Sequence, residues 1–264
     1  MSADCLVVVH RDAAQLAAAA AARLVTELVD AQAARGRAHV VLTGGGIGTA
    51  TLAALSAAPA RDAIDWQALD VWWGDERFLP LGDPERNATQ AREALLDAVP
   101  LEPARVHEMP ASDGPFGPDL DAAAAWYATQ LGVAAGPDDH DRVPSFDVLM
   151  LGVGPDGHIA SLFPGHPALD VAVGSAIGVR QSPKPPPIRI SLTLPAIGRA
   201  RQIWLLAAGA EKADACATAL AQAGAAALTE PAPSDPALPA ARAHGRSRTL
   251  WLLDRAAAAK VSSS

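Results

Sequence analysis

Six short apolar runs, each followed by a polar or glycine-bearing segment, constrain this chain more than anything else in it. They occupy residues 5–9, 39–42, 69–73, 146–151, 202–207 and 249–254. Runs this short, apolar at consecutive positions rather than at alternate ones, suit strands covered on both faces. Residues 12–34 between the first two are rich in alanine and carry Leu16, Leu24, Leu28 and Val29 near one helical face. Residues 49–55, 87–98, 120–131 and 211–223 read as further helices, residues 172–179 and 188–194 as two more strands, and residues 100–119 as a connector. Strands alternating with helices predict an α/β fold: a Rossmann-like, mostly parallel sheet with helices on both faces. Ligands of such sheets collect beyond the C-terminal strand ends. Polar segments 43–49, 74–80, 152–165 and 209–212 each follow a strand, and the pattern converges them on one crevice.

Composition then removes whole classes of function. Half of the 264 residues are hydrophobic, which excludes a disordered chain and supplies a large core. No linker or internal repeat divides the sequence, so residues 1–264 are expected to form one α/β domain, with a flexible tail from about residue 257. Lys and Arg total 21 against 29 Asp and Glu, a net charge of −8 that argues against a nucleic-acid binder. Cys5 and Cys216 are too few for a disulfide scaffold or a thiolate metal cluster and read as buried, reduced thiols. The N-terminal segment lacks a basic leader and no stretch resembles a membrane span, so the expectation is a cytoplasmic protein with no membrane partner. Monomer and homodimer both stay open.

Four places carry chemistry. Thr43-Gly44-Gly45-Gly46 lies between a strand and a helix, where adjacent glycines let backbone N–H groups approach an anion; a tight turn without ligand is the alternative. It lacks the lysine of a P-loop and the glycine spacing of a dinucleotide site, so no nucleotide cofactor is expected. Asp75-Glu76-Arg77 closes a strand. There Arg77 is suited to clamp a carbonyl or carboxylate and Asp75 to orient water or a sugar hydroxyl, against the reading of a surface ion pair. Gly152-Val153-Gly154-Pro155-Asp156-Gly157-His158 fixes an unusual backbone after a buried strand and presents Asp156 beside His158, a general base suited to neutral pH. Arg189 and Lys212 suit a phosphate dianion, although each alone is an ordinary surface charge. His166 has no companions at ligand spacing, so no metal is expected, and no G-x-S-x-G turn offers a serine nucleophile.

Taken in order, LTGGGIGTATL, WWGDERFLP, ERNATQAREALL, FDVLMLGVGPDGHIASLFPG, SPKPPPIRISLTLP and LLAAGAEKADA resemble the 6-phosphogluconolactonase family. The resemblance implies the fold shared with glucosamine-6-phosphate deaminase and ribose-5-phosphate isomerase, without cofactor. It also implies hydrolysis of 6-phospho-D-glucono-1,5-lactone in the oxidative pentose phosphate pathway. Carried over position by position, it puts the substrate phosphate at Gly44, Gly45, Gly46, Arg189 and Lys212. It makes His158 the catalytic base, with Asp75, Arg77 and Asp156 around the lactone, and gives Asn87 a contact with sugar hydroxyls or with the loop. ERNATQ lacks an aromatic residue found in many relatives. The deaminase alternative needs further acid–base carboxylates, yet Ser161, Leu162 and Phe163 stand where deaminases carry Asn–Glu, and Arg77 stands where they carry tyrosine. A non-enzymatic sugar-phosphate sensor would have no need of His158. Whether residues 182–187 form a lid is left open.

Overall fold

A computed structural model of the chain describes residues 4–137, 139–140, 142–226 and 237–261. In chain order, β1 (Asp4–His10) leads into α1 (Ala13–Arg35), β2 (Ala38–Leu42) into α2 (Gly45–Ala57), and β3 (Leu69–Trp73) into β4 (Asp75–Arg77) and α3 (Asn87–Ala94). Then follow α4 (Leu120–Ala134), β5 (Val148–Gly152), β6 (Ala176–Val179), β7 (Arg189–Leu192), α5 (Leu194–Ile197), β8 (Gln202–Ala207), α6 (Ala213–Ala226) and β9 (Arg248–Asp254).

The apolar runs form one parallel six-stranded sheet in the order β1-β9-β8-β5-β2-β3, flanked by helices. All five residues of β2 and of β3 are buried, which is why these segments show no polar alternation. From β2 the chain moves outward to β3. After β5 it moves the other way, to β8 and β9, so the strand order reverses between β2 and β5. That reversal opens a crevice at the strand ends. Helix α1 starts where Asp12 accepts a hydrogen bond from the Gln15 amide at 2.8 Å and stops at Gly36 in the left-handed region, φ 73°. Leu16, Leu24 and Leu28, four or eight positions apart, form its buried ridge.

A second, three-stranded sheet, β4-β7-β6, is antiparallel throughout. At Gly74 the chain leaves β3: the Gly74 amide still donates to Leu42 O at 3.1 Å, while its carbonyl already accepts from Leu192 at 2.8 Å. This step carries Asp75 and Arg77 just past the C-terminal end of β3, opposite Ser191 and Arg189.

Several expectations are corrected here. Part of the strand content is antiparallel, because β4, β6 and β7 pair in their own sheet. Helix α2 begins at Gly45, four residues early, so Gly45 and Gly46 are its first turn. Helix α3 ends at Ala94, where Leu95 adopts φ −150° and a 3-10 turn takes over. The strand expected at 172–179 forms only over Ala176–Val179. Cys5 is exposed on β1, an edge strand, while Cys216 is buried. The expected tail is part of the body from Ala257, which is fully buried, to Lys260, whose Nζ bonds both carboxylate oxygens of Asp214 at 2.7 and 2.8 Å. The remainder of that tail, residues 262–264, lies outside the described residues. No described helix is long and apolar enough to cross a membrane.

Candidate active site

A cleft of about 660 Å³ opens at the reversal point, lined by all four predicted loops and by the N-terminal end of α1 at Ala13 and Ala14. Gly44, Gly45, Gly46, Asp75, Arg77, Asn87, His158, Arg189 and Lys212 all reach it. Asp156 is not part of the lining and acts on it through His158.

The loop after β5 is built around close approach. A Cβ on Gly154 would stand 1.9 Å from His158 Nδ1, so only glycine lets the imidazole fold back over the turn. His158 Nδ1 meets Asp156 Oδ1 at 2.5 Å, and the ring lies 4.5 Å from that of Phe163, centroid to centroid. With Nδ1–H donated to Asp156, the lone pair is left on Nε2, which bonds no described residue. Burial lowers the proton affinity of His158 most; the hydrogen bond and charge of Asp156 oppose it, Lys184 adds to it, and the net shift is below 6.5. Burial raises the Asp156 carboxyl, but His158 and Lys184 outweigh it and hold the group down at about 2.

The loop after β3 supplies a carboxylate and a guanidinium. Asp75 is buried; its Oδ2 accepts from Ser161 Oγ at 2.7 Å, and its Oδ1 and carbonyl accept from Asn87 Nδ2 at 3.3 and 2.8 Å. Arg77 donates from Nη1 to the Glu85 carbonyl, while its buried Nε has no partner among the described residues. Directly opposite across the small sheet stands Arg189, so two like charges share one face, an arrangement that an anion between them relieves.

The glycine loop lies against α3. A Cβ on Gly44 would come 1.8 Å from Asn87 Oδ1, a second position where only glycine fits. No side chain caps the start of α2 at Gly44, so its first-turn amides face the cleft as donors. Lys212 approaches from the turn after β8. Burial and then the charge of Lys184 lower its proton affinity, opposed by Glu211 and Asp156. The Gly209 amide at the head of this turn is held by both Asp254 oxygens at 3.2 Å.

Arg189 is more engaged than its sequence position suggested. Nε donates to Pro186 O at 3.0 Å and Nη2 to Lys184 O and Pro185 O at 3.2 and 2.9 Å; Nη1 lies 3.5 Å from Ser161 Oγ and 3.8 Å from Asp75. It thereby fastens the segment 182–187, which the Ser182 amide also closes on Pro187 O at 3.0 Å. That fastening delivers a residue the sequence reading passed over. Lys184 Nζ lies 3.1 Å from Asp156 Oδ1 and 3.3 Å from His158 Nδ1. A lysine set among prolines that forbid it a regular element was the available signal. Ser161, noted only for what deaminases carry there, proves to be the residue that holds Asp75.

The family model described as glucosamine-6-phosphate isomerases/6-phosphogluconolactonase matches residues 11–251. The chain belongs to this family. Within the glucosamine-6-phosphate isomerase/6-phosphogluconolactonase family it is 63% identical to the 6-phosphogluconolactonase of Streptomyces coelicolor, over 96% of this chain and 94% of the relative. It is 52% identical to that of Mycobacterium tuberculosis, over 94% and 95%. The 6-phosphogluconolactonase from Trypanosoma cruzi shares the fold, with a TM-score of 0.80 at 24% identity, covering 100% of this chain and 99% of the other. Because the family joins two chemistries on one scaffold, the choice between them rests on side chains.

Proposed function

We propose that this protein hydrolyses 6-phospho-D-glucono-1,5-lactone to 6-phospho-D-gluconate by histidine-assisted attack of water on the lactone carbonyl. The observation that carries the mechanism is His158, oriented through Nδ1 by Asp156 with Nε2 free, in a cleft that also holds cationic and backbone anion donors. The substrate phosphate sits at the first turn of α2, on Gly44, Gly45 and Gly46, neutralised by Lys212. Nε2 of His158 takes a proton from water as its oxygen adds to C1. The guanidinium of Arg77, which lines the cleft, receives the negative charge on the carbonyl oxygen, a contribution of about 3 kcal/mol by comparison with a lost oxyanion-hole donor. Collapse breaks the bond from C1 to the ring oxygen, which takes the proton back from His158, and no covalent enzyme intermediate forms. Asp75 and Asn87 face the sugar hydroxyls. Arg189 contributes its positive charge to the phosphate-binding face while its donors hold the segment 182–187.

The deaminase reading needs a further carboxylate after the histidine turn. Here Ser161 is bonded to Asp75 and Leu162 and Phe163 are buried, so none is supplied. The whole chain works as one domain, because its proposed ligands come from loops on both sides of the reversal point. A charged sugar phosphate held inside cells supports a cytoplasmic address. The test is a coupled assay with freshly generated lactone, read against spontaneous hydrolysis, beside an ammonia-release assay with glucosamine 6-phosphate. Lactone hydrolysis well above background, with no ammonia, is expected; a rate at background, or ammonia release, overturns the assignment.

A further inference from the structure

Between Asp75 and Arg77, the two groups that β4 lends to the cleft, stands a carboxylate that the mechanism does not use. Glu76 is fully buried and does not line the cleft. Its oxygens accept three backbone amides: Arg77 at 2.8 Å and Asn87 at 2.6 Å on Oε1, and Ala88 at 2.8 Å on Oε2. The last two are first-turn donors of α3, a helix whose own N-cap residue, Arg86, provides no side-chain cap. Glu76 thus caps α3 from another element, 11 and 12 positions back in sequence. Arg86 Nη2 lies 3.7 Å away and is itself buried, donating to Met109 O at 2.7 Å.

What α3 carries at that capped end is Asn87. Its side chain bonds the carbonyl and carboxylate of Asp75 and lies against Gly44, where no Cβ fits. One carboxylate therefore sits at the joint of three parts of the cleft: the β4 pair, the asparagine and the glycine loop. We propose that Glu76 is a positioning residue for lactone hydrolysis, setting Asp75, Arg77 and Asn87 in register with the glycine loop by locking β4 to the first turn of α3.

Burial pushes the Glu76 carboxyl up to about 7, against the opposing pull of Arg86 and the three amides. A raised carboxylate favours the native state most below its ordinary value of 4.5, and that contribution is lost as pH rises through 7. At pH 8 the ionised group is therefore held against the interest of stability, which fits a part kept for geometry better than one kept for strength.

The inference rests on the lactonase reading, so the wild-type rate is measured first; a wild type without lactonase activity removes both. With that activity in hand, Glu76→Gln is the informative variant. Its amide offers one acceptor oxygen and places an NH₂ against a backbone donor. We expect kcat to fall at least tenfold with KM within threefold, because the phosphate donors are untouched, while the circular dichroism spectrum stays that of the wild type. In an Asp75→Asn background the same change should cost kcat less than threefold, since both act through one arrangement. A kcat within twofold of wild type in folded Glu76→Gln overturns the proposal, as does a full tenfold loss in the Asp75→Asn background. If the single variant does not fold because Arg86 is left unpaired, Glu76→Gln with Arg86→Met removes both charges at similar volume and is read by the same criteria.

Discussion

Opposing influences act on the His158 imidazole, and their balance decides when it can accept a proton. Burial and Lys184 disfavour the cation, Asp156 favours it, and burial wins. The imidazole is therefore neutral at pH 7. The acid limb of kcat/KM that belongs to His158 should appear only as pH falls below the ordinary histidine value of 6.5, when the imidazole charges, beyond the change that Glu76 brings at about 7. His158→Asn should lower kcat by about 10²- to 10⁴-fold at pH 7.5 and abolish that acid limb. Lys212→Met should behave differently, raising KM by roughly 10- to 100-fold, the equivalent of about 1.5–3 kcal/mol for a charged hydrogen bond, with kcat nearly kept. Steady-state kinetics on the two variants separate the roles. A KM effect in His158→Asn with kcat intact would contradict the base assignment.

At the scale of elements, the cleft depends on how closely loops approach. Gly44→Ala would force a methyl group into the Asn87 amide, so the glycine loop and the start of α3 must part. An overpacking cost of about 1–3 kcal/mol is expected in urea unfolding. Activity should fall disproportionately, because Asn87 also braces Asp75. Full activity in a destabilised Gly44→Ala would show the loop to be independent of α3. The same contrast explains what the sequence made legible. The strands of the parallel sheet announce themselves as apolar runs, and the glycine and histidine turns follow them directly, so the gathering of His158, Lys212 and the glycine loop in one cleft was readable. The antiparallel sheet was not, since β4 is the three charged residues Asp75, Glu76 and Arg77, and its partner β7 lies more than a hundred positions away. Lys184 and the cap that Glu76 places on α3 were hidden for the same reason. Neither has a periodic signal, and each acquires its meaning from a contact between distant segments.

For the molecule as a whole, acid sensitivity should come in part from the opposite end of the sheet. His39, at the start of β2, is buried, and its Nδ1 accepts from Trp72 Nε1 at 3.3 Å. Burial lowers its proton affinity most, opposed by Asp70 and Asp147. A lowered histidine contributes stability that is present above 6.5 and is lost as pH falls through its native value, because the unfolded chain takes up the proton first. Glu76 acts with the opposite sign between 4.5 and about 7. His39→Gln keeps an acceptor for Trp72 and cannot charge, so on going from pH 7.5 to 5.5 its urea midpoint should fall less, or rise more, than that of the wild type. An unchanged pH dependence would remove His39 from the account.

Strand β9 lies between β1 and β8, and this order in space runs against order in time. A chain growing from its N-terminus makes β1 first, yet that strand's only partner among the described residues is β9, which is made more than two hundred residues later. Until then β1 can borrow only the cover of α1. The same late strand carries Asp254, which holds the Gly209 amide and with it the turn that presents Lys212. Contacts this distant in sequence close slowly. The side of the cleft that presents Lys212 therefore becomes complete only after β9 has been made, and until then the chain carries β1 as an unpaired apolar strand.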